Sequence, residues 1–144
     1  MKSIILIPVY NEKRNITNLF IKIRKFCKYD ILYVNDNSSD GTTGEINKLK
    51  KKYKNIHHIN RINKFGIGSA HKDGLKWCYK KKYKIIITMD GDGTHNPKYI
   101  NSLIKKNMRS DITITNRFLK KNSLKTWPLP RVIITNIRHL LISL

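Results

Sequence analysis

The chain holds nine acidic residues against thirty basic ones, so the place of each carboxylate carries information. They are Glu12, Asp30, Asp36, Asp40, Glu45, Asp73, Asp90, Asp92 and Asp111. Glu12, Asp36, Asp40, Asp90 and Asp92 lie just past the ends of apolar runs that read as strands. The sharpest element is Asp90-Gly91-Asp92, directly after Ile85-Ile86-Ile87-Thr88-Met89. Two carboxylates one residue apart at a strand end make a hard-oxygen site. Mg²⁺ or Mn²⁺ is bound in this way, through one or two carboxylates plus the phosphates of a substrate. Gly91 would let the backbone pass close to a ligand. Asp, Asn, Ser and Gly are also ordinary turn residues. A lone Asp-x-Asp is weak; three acidic loops at one edge are a stronger signal. No Ser-His-Asp or Cys-His set is visible. His95 reads better as a turn histidine than as a base. His57, His58 and His139 point to no chemistry, and Gly66-Ile67-Gly68 lacks the third glycine of a dinucleotide fingerprint.

The elements that must position these residues alternate. Ser3–Val9 is a continuous apolar run, the pattern of a buried parallel strand. Ile16, Leu19, Phe20 and Ile23 recur at helical spacing, which predicts a helix over about 13–27. Ile31–Val34 is a second strand, stopped by the turn cluster Asn35-Asp36-Asn37-Ser38-Ser39-Asp40-Gly41. Thr43–Tyr53 reads as a helix and Ile56–Ile59 as a third strand. A helix follows within Gly66–Lys82, with Ala70, Leu75, Trp77 and Cys78 as inner residues. Lys84–Met89 is the fourth strand, Pro97 opens a further helix, Asp111–Thr115 is a fifth strand, and about 131–144 is helical. Lys50-Lys51-Lys52 and Lys80-Lys81-Lys82 sit at helix ends, where the helix dipole favours cations. This alternation predicts an α/β fold, a mostly parallel sheet with helices on both faces. In such sheets ligands bind at the carboxyl ends of the strands.

A chain of 144 residues suits a single domain, here 1–144. The net charge is +21, and lysine supplies 23 of the 30 basic residues. An excess of Lys, Asn and Ile is what A+T-rich codon usage produces. The charge equally suits attraction to anionic lipid, to a phosphate-rich substrate or to nucleic acid. No nucleic-acid module is legible, so any binding of that kind is expected to be non-specific and salt-sensitive. Cys27 and Cys78 have no metal-ligand spacing and read as buried free thiols of a reducing compartment. The apolar run at the N-terminus is too short for a signal peptide or a membrane span. The expected location is therefore the cytoplasm, with contact at the cytoplasmic face of a membrane open to it.

Four segments also carry a resemblance: Pro8-Val9-Tyr10-Asn11-Glu12, Val34 to Thr42, Asn63 to Ala70, and Asp90-Gly91-Asp92-Gly93-Thr94-His95-Asn96-Pro97. Their order and spacing resemble family 2 inverting glycosyltransferases. His95-Asn96-Pro97, Asn116-Arg117-Phe118 and Trp127-Pro128-Leu129-Pro130-Arg131 are similar to the dolichol- or polyprenol-phosphate mannose synthase group. The resemblance implies a Rossmann-like GT-A fold, a nucleotide-diphosphate sugar such as GDP-mannose as donor, a polyprenyl phosphate lipid as acceptor, and Mg²⁺ or Mn²⁺. It implies that Pro8, Tyr10 and Glu12 line the nucleotide pocket, with Tyr10 stacking on the base. Val34 and Asp36 would hold base and ribose. Asp90, Gly91 and Asp92 would meet the sugar-diphosphate, with Asp92, Asp90 and Thr94 at the metal. Arg117 would face the donor phosphates and Arg131 the acceptor phosphate, and Asp92, Asp90 and Arg117 would be the catalytic set. Other donors, a soluble glycan acceptor and an inactive nucleotide-sugar binder are the alternatives within this reading. Asn35 stands where many members have Asp, Asn96 replaces a Pro, and Gly91 replaces a common Ala with no expected consequence. Members continue beyond the position of Leu144 into a segment that engages the acceptor. The expectation is a chain that binds donor and transfers poorly by itself. Ile133, Ile134, Ile137, Leu140, Leu141 and Leu144 form an apolar stripe that suits core packing, a bilayer or a partner chain.

Overall fold

The computed structural model describes residues 1–108, 110–115 and 128–142, with side chains up to Arg138. The chain divides into two compact units, Met1–Asp111 and Ile112–Leu144.

The first unit is a four-stranded sheet. Its strands are β1 (Ser3–Val9), β2 (Asp30–Asn35), β3 (Ile56–Asn60) and β4 (Ile85–Thr88), in the order β3-β2-β1-β4. Every pairing is parallel, with Val9 opposite Asn35, Asn35 opposite Asn60, and Leu6 opposite Thr88. The four carboxyl ends therefore open on one edge. Between the strands run α1 (Lys13–Arg24), α2 (Thr42–Lys52) and α3 (Ile67–Lys80). After β4 a 3-10 turn at Pro97–Tyr99 leads into α4 (Ile100–Asn107).

β1 is buried along its whole length because helices cover both faces. Ile5, Ile7 and Val9 pack with Ile16, Leu19, Phe20 and Ile23 of α1, Ile46 and Leu49 of α2, and Ile100 of α4. Ile4 and Leu6 face the other way, onto Ala70 and Cys78 of α3. This period-two division of an unbroken apolar strand is what a sheet covered on both faces requires. α3 lies close because Gly74 has no side chain: a Cβ there would stand 2.3 Å from Leu6 Cδ1. Both cysteines are buried and free.

Three expectations need correction. Residues 111–115 form no strand, and among the described residues the sheet ends at β4. Their sequence alternates Ile with Thr, but Ile112 and Ile114 are 75% and 82% exposed, so among the described residues no partner buries the apolar positions. Leu75 is not an inner residue of α3; it is 43% exposed, and Gly74 takes the inward position beside it. α1 stops at Arg24, and Cys27 is buried in the turn that follows.

In the second unit the described element is α5 (Leu129–Ile142). Ile133, Ile134 and Ile137 of the expected apolar stripe are half or more exposed. Among the described residues no helix is long and apolar enough to cross a membrane.

Candidate functional site

The loops after β1 and β2 are tied to each other through backbone groups. Asn11 and Asn37 adopt left-handed backbone, as does Gly41. Asn tolerates that region and Gly enters it freely. The Asn11 N–H donates to Ser38 Oγ at 2.9 Å, and the Ser39 N–H donates to Asn11 Oδ1 at 3.0 Å. Asp40 accepts from the Lys13 N–H at 3.0 Å and from the Thr42 N–H at 2.9 Å. One carboxylate thus serves the first turns of α1 and α2, where a negative charge is favoured. Partial burial raises the Asp40 pKa, but hydrogen bonds from Thr42 and the Lys13 N–H outweigh it and hold the carboxyl below its ordinary value. Thr42 Oγ1 in turn accepts the Glu12 N–H at 2.9 Å. A shallow depression here is lined by Asn11, Glu12, Lys13, Arg14, Asn15 and Asp40.

Asn35 is wholly buried between β1 and β3. Its amide donates to Asn60 Oδ1 at 2.7 Å and to Thr43 Oγ1 at 2.8 Å, and its carbonyl accepts from the Ser38 N–H. An amide supplies donors and an acceptor at once, which a carboxylate cannot. That is a physical reason for Asn rather than Asp at this position.

Asp36 also points inward and is 4% exposed. It accepts from Arg61 Nη1 at 2.7 Å, from the Phe65 N–H at 3.0 Å and from the Gly66 N–H at 2.7 Å. Arg61, 7% exposed, also meets Ser69 Oγ and pairs with Asp73 at 3.2 Å. The pair clamps the loop between β3 and α3 onto the end of β2. Gly66, at φ 87°, turns that loop into α3. Between the clamped ends sits Lys64, whose ammonium lies 3.8 Å from the centre of the Tyr10 ring. Tyr10 itself is 40% exposed.

The loop after β4 carries the Asp-x-Asp. Asp92 Oδ1 accepts from the Thr94 N–H at 2.9 Å and from its hydroxyl at 2.8 Å, a turn closed by its own side chain. Asp90 is partly exposed, with His95 Nε2 3.5 Å from its carboxylate. His95 Nδ1 accepts the Asp90 N–H at 3.2 Å, so His95 is the backbone-held turn histidine that the sequence suggests. Gly91 is buried against the end of β1: a Cβ there would stand 2.8 Å from Val9 Cγ1 and 3.3 Å from the Pro8 carbonyl oxygen. The close approach at Gly91 is therefore to β1, and the change from Ala is not free of consequence in this chain.

The edge brings together Tyr10, Glu12, Asp36, Asp90, Gly91, Asp92 and Thr94 on loops of the first unit, with Pro8 one residue before the end of β1. Pro8 is buried in β1, and Val34 is buried under α3. Arg131 is an exposed residue of α5 in the second unit. Arg117 lies outside the described residues. Sequence reasoning gave no role to Arg61 or Lys64: Arg61 is one more basic residue in a chain with thirty, and Lys64, though inside the Asn63 to Ala70 segment, carries no pattern that ties it to Tyr10.

Among the described residues no three His, Cys, Asp or Glu side chains converge as a ready metal cage. The residues present nevertheless fit a divalent cation bound together with substrate. Thr94 holds one oxygen of Asp92, and a second carboxylate stands two residues away. Mg²⁺ and Mn²⁺ sites of this kind take their remaining oxygens from phosphate and water.

The profile of the family described as glycosyl transferase family 2 matches residues 4–142. The chain belongs to that family. The family 2 chain is 28% identical over 137 residues to a polyprenol monophosphomannose synthase of Mycolicibacterium smegmatis, covering 93% of this chain and 52% of that protein. It is 34% identical over 140 residues to a dolichol-phosphate mannosyltransferase of Pyrococcus furiosus, covering 94% of this chain and 38% of that one. The chain thus spans about half, or less, of the curated relatives it matches. Its fold is similar to that of a mannosyltransferase from Pyrobaculum calidifontis in complex with GDP-Man and Mn2+, with a TM-score of 0.63 at 17% identity, over 72% of this chain and 31% of that one. The family 2 chain therefore has the Rossmann-like GT-A fold implied by its motifs.

Proposed function

We propose that this family 2 chain carries the donor site of an inverting glycosyltransferase that moves mannose from GDP-mannose to the phosphate of a polyprenyl or dolichyl lipid. The observation that carries the proposal is the convergence of the Tyr10–Glu12, Asp36–Asp40 and Asp90–Thr94 loops on one edge of the parallel sheet. The named relatives act on polyprenol and dolichol phosphates, which supports the lipid acceptor. The GDP-Man and Mn2+ of the similar structure support the donor and the metal.

In this reading Tyr10 offers its ring to the base, and Pro8, Glu12, Val34 and Asp36 shape the pocket around base and ribose. Asp90 and Asp92, with Thr94 bracing Asp92, hold Mg²⁺ or Mn²⁺ against the donor diphosphate. A divalent cation there supplies neutralisation of charge on the departing nucleoside diphosphate. Arg117 adds a guanidinium to the donor phosphates, and Arg131 binds the acceptor phosphate. That phosphate is already an anion at neutral pH, so the attack needs no strong general base. One displacement inverts the anomeric carbon. An excess of thirty basic over nine acidic residues steers both polyanionic substrates and favours contact with the anionic cytoplasmic face of a membrane.

The test has two arms. A thermal-shift panel sets GDP, GDP-mannose, UDP and UDP-glucose, with and without Mn²⁺, against the chain, because a ligand that binds only the folded state raises the melting point. A radiolabel assay measures transfer from GDP-mannose to polyprenyl phosphate in liposomes. Metal-dependent stabilisation by guanine nucleotides is expected. Stabilisation by UDP alone overturns the donor assignment, and no nucleotide response overturns the reading as a whole.

A further inference from the structure

The acidic loops account for one side of the sheet edge. The loop between β3 and α3 forms the other, and no role above uses it. It is not a slack connection. Asp36 accepts the Phe65 and Gly66 N–H groups, and Arg61 grips Asp36 from the start of the same loop. The Arg61 N–H adds a further tie, donating to the Asn35 carbonyl at 2.9 Å. Within this frame Lys64 is exposed and reaches back to Tyr10, with its ammonium 3.8 Å from the ring centre. A cation over an aromatic face is attracted by the ring quadrupole, but an exposed contact of this kind is weak and easily exchanged. The ring it covers is the one that a nucleotide base would need for stacking.

We infer that Lys64 is a diphosphate-recognising residue of the nucleotide site: it lies over the Tyr10 ring, and moves to the donor phosphates when a base takes its place there. The inference rests on the proposed function and deepens it. Two features of the structure make the exchange favourable. The loop backbone is pinned on both sides of Lys64, so only its flexible side chain has to move. The phosphates also offer a full negative charge, and a charge-assisted hydrogen bond there is stronger than the contact with the ring. Lys64 thereby couples two halves of one ligand. A nucleoside displaces the ammonium and gives it nothing in return, whereas a nucleoside diphosphate displaces it and binds it. The residue should set how strongly the site prefers diphosphates over bare nucleosides.

The experiment is isothermal calorimetry of guanosine, GMP and GDP with Mn²⁺ on the full chain, its Lys64→Met variant and its Lys64→Arg variant. The quantity read is the ratio of the guanosine Kd to the GDP Kd. Lys64→Met is expected to lower this ratio about tenfold, the scale of one charge-assisted hydrogen bond. Guanosine should bind it as well as, or better than, the parent chain, and Lys64→Arg should restore most of the ratio. Weakening of guanosine and GDP in parallel would assign Lys64 a merely structural role and overturn the inference. So would an unchanged ratio. A parent chain that binds none of the three ligands refutes the proposed function itself; a parent chain that prefers GDP while Lys64→Met keeps the full preference refutes only Lys64.

Discussion

Arg61→Met removes the buried cation that closes the β3–α3 loop, and the structure sets the size of the effect. Asp36 and Arg61 are both almost wholly buried, so water cannot readily replace the missing partner. Breaking a buried pair from one side costs about 3–5 kcal/mol. Two features pull the value toward the low end. Asp36 keeps the Phe65 and Gly66 N–H groups, so its carboxylate still has donors. Methionine also fills much of the space of the arginine stem. A loss of about 3 kcal/mol is expected, which in a domain of this size lowers Tm by about 10 °C. Urea denaturation followed by circular dichroism measures it. The double variant Asp36→Asn/Arg61→Met should be more stable than the sum of the single losses predicts, with a coupling of about 1–3 kcal/mol. A loss under about 1 kcal/mol for Arg61→Met, or additive single variants, would show that the loop is held by its backbone alone and that the clamp is misread.

Asp92→Ala should abolish metal-dependent GDP binding in calorimetry while leaving the melting point nearly unchanged, because Asp92 is exposed and bonds within its own turn. Gly91→Ala should shift the Asp90–Thr94 turn, since the new methyl would stand 2.8 Å from the stiff side chain of Val9; a cost of about 1–3 kcal/mol is expected, and a fall in affinity for GDP with Mn²⁺ should accompany it. The Asp40 carboxyl is held below its ordinary value in the folded chain, so its contribution is present above that ordinary value and is lost as pH falls through the lower, folded one. Asp40→Asn should therefore flatten the loss of stability below about pH 4 that the parent chain shows, as read from melting points across an acid series. Burial pushes the Cys78 thiol up to about 11 and raises that of Cys27, so neither should react with a thiol reagent at pH 8 until urea unfolds the chain.

The strand–helix alternation, the parallel sheet and the edge that gathers the acidic loops were all legible in the sequence. Each is written locally: an unbroken apolar run makes a strand buried on both faces, and a cluster of Asn, Asp, Ser and Gly ends it. Asp90-Gly91-Asp92 was visible for the same reason, since its two carboxylates are close in sequence as well as in space. Tertiary structure decided which carboxylates stay open at the edge. Asp36 follows a strand just as Asp90 does, yet it turns inward because Arg61 and two backbone N–H groups meet it there. Asp40 looks like a third open carboxylate and instead joins the starts of α1 and α2. In a chain with thirty basic residues, no local pattern marks Arg61 as the buried one or Lys64 as the one over Tyr10. The strand expected at 111–115 fails on the same ground, because alternating Ile and Thr make a strand only where a neighbouring strand and a covering layer bury the Ile side. Periodicity and turn chemistry act between near neighbours, whereas partner choice and burial depend on what the rest of the chain brings within a few ångströms.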